Sequence, residues 1–257
     1  MEKEFILTDG DLQIPVKVNE SDFEIRRVVL GVHGIGGSAM DSIQTSLAEE
    51  MEFFNSVVYR FDFPAHGESP LDDSFLTLKN CREVLLAVAR HAKATYPEVE
   101  DLCIFATGFG AYVTLTCLEE MMELPGKLKL VIQTPSVRMH ETLLAIKKIS
   151  KATLRAMGRI RLNASRPFDI TYEFYKELEN NVVMMAYPIP MLILHGEHDS
   201  VIRREDIQSF ARINEQSKLV IIPGTTHRFL EEGAWDMVLD LTRDWFEFEQ
   251  VLLSDWS

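Results

Sequence analysis

The segment Phe105-Ala106-Thr107-Gly108-Phe109-Gly110-Ala111 constrains this chain most. Leu102–Ala106 reads as a buried strand and Gly110–Met122 as a helix packed directly behind it, so almost no loop lies between them. So sharp a strand-to-helix turn strains its central residue and requires small neighbours. Ala106, Gly108 and Gly110 supply them. Gly108 tolerates the strained backbone but brings no side chain. A dinucleotide-binding loop fits less well, because the third glycine is missing and such a loop follows the first strand of its sheet.

The rest of the chain alternates strands with helices. Phe5–Leu7 and Leu12–Val18 predict two strands around a turn, and Arg27–Val32, Ser56–Phe61, Lys129–Gln133, Met191–Leu194 and Lys218–Ile222 predict further strands. Helical patterns cover Ser42–Phe54, Leu76–Thr95, Glu205–Ile213 and Ala234–Leu253. The fold class expected is α/β, a mostly parallel central sheet with helices on both faces. Between Ser136 and Pro188 the pattern is helical only. Residues 136–188 are therefore expected to form a small helical cap inserted into a core made of residues 1–135 and 189–257. A length of 257 residues with 46% hydrophobic side chains suits one such domain.

Two later strands end in reactive loops. Met191–Leu194 runs into His195-Gly196-Glu197-His198-Asp199, and Val220–Ile222 runs into Pro223-Gly224-Thr225-Thr226-His227. A sharp elbow, then an acid, then a histidine, each after a strand, is the order of a nucleophile–acid–base triad. A hydroxyl is a weak nucleophile at neutral pH, so a histidine must take its proton and an acid must fix the imidazole. Asp199 and His227 are the candidates, with Gly108 at the nucleophile position. Alone, Asp199 reads equally as a helix cap and His227 as a loop histidine; order and strand context join them. An oxyanion needs two backbone N–H donors. Phe109, after the elbow apex, and Ile35, in His33-Gly34-Ile35-Gly36-Gly37, fill that role. His66, His195 and His198 read as supporting residues, and no metal site is expected, since no further ligand cluster accompanies them.

These motifs, with Phe61-Asp62-Phe63-Pro64-Ala65-His66-Gly67-Glu68-Ser69, resemble those of the α/β-hydrolase superfamily over nearly the whole chain. The chain is most similar to its cap-bearing serine esterases, including cinnamoyl (feruloyl) esterases and monoacylglycerol-lipase-like enzymes. The resemblance implies a carboxylic-ester hydrolase working through an acyl-enzyme, with no cofactor. It places the acid on Asp199, the base on His227, the oxyanion donors on Ile35 and Phe109, and the nucleophile on Gly108, where the sequence departs from the family. Gly34, Tyr172 and Tyr175 are the candidate substrate-binding residues.

Three accounts of Gly108 compete. An inactivated serine-to-glycine variant explains why the base and acid are intact, and is preferred. A non-catalytic ligand-binding relative and a chemistry without a covalent intermediate are the others. Thr107 is expected to point away from the oxyanion hole. The apolar residues of the cap suggest an ester with an apolar or aromatic acyl group. Lys147, Lys151 and Arg155 recur every four residues, as on one helix face. That stripe could receive an anion, including an acyl carrier in a thioesterase, against the plainer reading of a solvated face. A net charge of −14 argues against nucleic-acid partners. The N-terminus carries no signal-peptide pattern and no apolar run approaches a membrane span. Cys81, Cys103 and Cys117 read as reduced core residues, so a cytoplasmic location is expected.

Overall fold

The computed structural model describes residues 2–249. A mixed sheet of eight strands runs in the order β1-β2-β4-β3-β5-β6-β9-β10. Its strands are β1 (Glu2–Asp9), β2 (Leu12–Glu20), β3 (Arg27–Val32), β4 (Ser56–Phe61), β5 (Asp101–Thr107), β6 (Lys127–Gln133), β9 (Met191–Gly196) and β10 (Lys218–Ile222). Only β1–β2 and β2–β4 pair antiparallel; from β4 to β10 every pairing is parallel. Parallel strands need long crossovers, and helices supply them. These are α1 (Ser42–Phe53), α2 (Leu78–Thr95), α3 (Gly108–Thr116), α4 (Leu118–Met122) and α8 (Arg204–Ile213), while α9 (Ala234–Phe248) follows the last strand. The expected extension of the last helix to Leu253 lies outside the described residues.

Strands β3, β4 and β9 are buried along their whole length, as strands covered on both faces must be. Two apolar layers result. Val29, Phe105, Leu192 and Phe246 belong to the layer that includes α1 and α9, and Leu30, Ile104, Ile132 and Ile193 to the layer that includes α2 and α3. The three cysteines are free and buried, and burial pushes the Cys117 thiol up to about 12.

The insert corrects two expectations. It holds α5 (Met139–Lys147), α6 (Lys151–Met157) and α7 (Tyr172–Asn180), but also an antiparallel pair, β7 (Arg159–Leu162) with β8 (Phe168–Thr171). Ile160, Leu162, Phe168 and Ile170 point inward while the charged residues between them do not. Four-residue strands carry too little alternation to stand out from the flanking helical pattern. The basic stripe is also not one face. Lys147 ends α5 and Lys151 begins α6, because Lys148 adopts a left-handed conformation at φ 51° and closes the first helix.

Several cations of the insert are engaged. Lys151 pairs with Glu179, Arg138 with Asp206 and Glu141, and both Arg159 and Arg161 with Asp169. Arg166 reaches down to the core, donating to the carbonyls of His66, Gly67, Ser69 and Leu71. The Leu78 amide donates to Glu177 at 2.6 Å, and the Tyr112 hydroxyl lies 2.8 Å from the Asn181 carbonyl and 3.1 Å from that of Leu178. The cap is thereby tied to the core at several points.

Candidate active site

Gly108 stands at the junction of β5 and α3 with φ +48°, the left-handed region that side-chain-bearing residues avoid. A Cβ built there would meet nothing nearer than the Gly34 Cα at 4.0 Å, so the space for a side chain is open. Gly110 is required for a different reason. A Cβ there would lie 2.5 Å from the His33 carbonyl oxygen and 2.7 Å from that of Val32. Only glycine lets α3 pack this closely against the end of β3.

His227 and Asp199 meet as the sequence predicts. His227 Nδ1 lies 2.8 Å from Asp199 Oδ2. A carboxylate only accepts, so Nδ1 carries the proton and Nε2 is left as the basic nitrogen. The Asp199 carboxylate is shielded from solvent, and its Oδ1 accepts from the amides of Val201 at 2.8 Å and Ile202 at 2.9 Å. Burial alone would raise this carboxyl, but the His227 bond and the two amides outweigh it and hold it below its ordinary value. His227 keeps part of its ring exposed to a cleft of about 690 Å³ that Gly108 also lines.

Gly34, Ile35 and Phe109 line the same cleft. Phe109 lies in the first turn of α3, where an N–H has no intrahelical acceptor. Among the described residues, the Ile35 amide has no loop or side-chain acceptor either. The loop that carries it is fixed from below by His33. His33 Nε2 accepts from the Phe63 amide at 3.1 Å, so Nδ1 donates to the Gly34 carbonyl at 2.8 Å. His33 is fully buried, and burial pushes it down to about 4. His66 packs against it and against Phe168, donates from Nδ1 to the Pro64 carbonyl at 2.8 Å, and is pushed by burial to about 3.

His195 is buried with its Nδ1 3.7 Å from Asp199, while His198 is exposed beside Glu197. Among the described residues no group of three or more His, Cys, Asp or Glu could hold a metal ion. Two site expectations change. Tyr175 is buried within the cap, stacked on Tyr172, and its hydroxyl donates to Glu179. Tyr172 lines a separate shallow cavity with Lys151 and Arg155. Neither tyrosine lines the cleft with Gly108, because α7 turns that face toward α5 and α6. Thr107 does line it, with its hydroxyl donating to the Val32 carbonyl at 3.5 Å. Sequence reasoning missed Asp41, Gln133 and Arg228, which also line the cleft. Arg228 stands next to His227, which is a signal the chain did offer.

A sheet of this order, with an elbow after β5, an acid after β9 and a histidine after β10, defines the α/β-hydrolase fold. Comparison with solved structures bears this out. The mouse alpha/beta hydrolase domain-containing protein 10 superposes with a TM-score of 0.79 at 14% identity, covering 96% of this chain and 100% of that one. Est1E from Butyrivibrio proteoclasticus, with ferulic acid bound, gives 0.77 at 19% identity, covering 96% and 98%. The monoglyceride lipase of Saccharomyces cerevisiae, in complex with a substrate analogue, gives 0.75 at 13% identity, covering 96% and 95%. No protein-family model matches the chain, and no curated protein matches it.

Proposed function

We propose that the cleft is the ester-binding site of a serine-esterase-type hydrolase from which the nucleophile is absent. The observation that carries this is the pairing of His227 with a shielded Asp199, in one cleft with an open left-handed apex at Gly108. An acid–base pair held this way has little purpose in a purely structural loop. In this reading the ester carbonyl sits over Gly108, and its oxygen accepts from the Ile35 and Phe109 amides. With a serine at 108, His227 would take the hydroxyl proton as the oxygen attacks the carbonyl carbon, and would return it to the departing alcohol. Asp199 would steady the imidazolium. Water would then release the acid by the same steps. With glycine, no acyl-enzyme forms. Only a residual acceleration remains, roughly 10³-fold over water, from binding and the oxyanion donors. That esterases and a lipase share the fold adds weight to ester chemistry over other hydrolytic reactions.

The test is Gly108→Ser, assayed on short-chain, long-chain and hydroxycinnamoyl esters and on thioesters, with a fluorophosphonate label. Hydrolysis and labelling at position 108 in the serine form alone are the expected result. A serine form silent on the whole panel and unlabelled would overturn the reading in favour of a ligand-binding protein.

A further inference from the structure

One charged group in the cleft wall is left without a salt bridge. Arg228 is exposed at the cleft and, among the described residues, makes no ion pair. The acid that feels its charge is Asp41, on the same cleft wall, and no carboxylate among the described residues closes on the guanidinium as a salt bridge. Among the described residues, Lys147, Lys148, Arg155 and Lys176 also make no ion pair, but none of them lines this cleft.

The loop fixes where Arg228 goes. Thr226 binds Glu231 through its amide at 3.1 Å and its hydroxyl at 2.6 Å. Phe229 is fully buried with φ +52°, and Trp235 Nε1 donates to the Arg228 carbonyl at 3.4 Å. With Phe229 driven into the core, its neighbours Arg228 and Leu230 are turned to the cleft. Beyond the arginine the wall is mixed, with apolar Met139, Ile146, Leu162 and Trp235 beside Thr142, Asn163 and Ser165.

We propose that the cleft selects half-esters of dicarboxylic acids: an apolar chain with an ester at one end and a free carboxylate, held by Arg228, at the other. The inference rests on the ester-binding reading and names its substrate class. A guanidinium meets a carboxylate through two parallel N–H donors, a match no neutral ester end can make. Asp41 lines the same cleft and works against the anion. It gives the selectivity a second handle, because Asp41→Asn removes the repulsion without changing shape.

The glycine at 108 makes the test direct, since an intact ester can be titrated without turnover. Calorimetry with monoethyl adipate and diethyl adipate at 0.15 M salt reads the ratio of their dissociation constants. A ratio of about ten in favour of the half-ester is expected, as for one charge-assisted contact near the surface. Arg228→Met should bring the ratio to near one, Arg228→Lys should keep part of it, and Asp41→Asn should raise it. A ratio near one in the unaltered protein, a ratio that survives Arg228→Met in a variant with unchanged melting, or binding of neither ester would each overturn the proposal. If the ratio holds but Gly108→Ser hydrolyses nothing, the ester-hydrolase reading fails and the carboxylate site stands.

Discussion

At Gly108 a single torsion sets function against stability. A serine at φ +48° pays the left-handed penalty that glycine avoids, about 1–2 kcal/mol. Gly108→Ser is therefore expected to melt lower by several degrees while gaining esterase activity, which thermal denaturation and the ester panel read on one sample. In that serine background, Asp199→Asn should cut kcat about 10⁴-fold by leaving the proton on the wrong imidazole nitrogen. Loss of only a few-fold would mean that Asp199 does not orient His227. The buried histidines give a pH prediction. His33 and His66 are pushed below the free-imidazole value of about 6.5, so the unfolded chain takes up protons before the folded chain does. Their contribution is intact above that value and is lost as pH falls from it toward about 4 for His33 and about 3 for His66. Imidazole nitrogen shifts at pH 5 should still report both rings neutral. A protonated His33 at that pH would break its bond from Phe63 and contradict the burial argument.

Among the elements, the junction of β3, β5 and α3 tolerates least. Gly110→Ala would press a methyl into the His33 and Val32 carbonyls. Neither is a side chain that can swing aside, so a loss of more than about 3 kcal/mol is expected in urea unfolding. The cap contact is milder. Arg166→Met removes the donor to four carbonyls of the loop after β4 and should raise amide exchange of that loop and of β7–β8, with the core sheet unchanged. The sequence showed the strands, the elbow and the Asp199 and His227 loops because burial on both faces writes near-continuous apolar runs ended by glycine and polar residues. It hid the cap's hairpin, whose strands are four residues long, and the break between α5 and α6, which Lys148 makes without a glycine. A similar break at Cys117 divides the helix expected over Gly110–Met122 into α3 and α4. Tyr172 and Tyr175 were misplaced, and Gln133 and Arg228 overlooked, for one reason: which wall a residue faces depends on partners far along the chain.

For the molecule as a whole, the sheet gathers groups from residues 34 to 228 at the carboxyl ends of its parallel strands, as open α/β sheets do. Among the described residues no helix is long and apolar enough to cross a membrane. Residues 136–188 are tied to the core at Leu78, at Tyr112 and along the loop that Arg166 binds. On the reading proposed above, with no side chain at 108 to capture a guest covalently, almost every arrival is followed by an unaltered departure. Occupancy of such a chamber follows the surrounding concentration, as a gauge does, and one serine would turn the gauge into a consumer of what it measures.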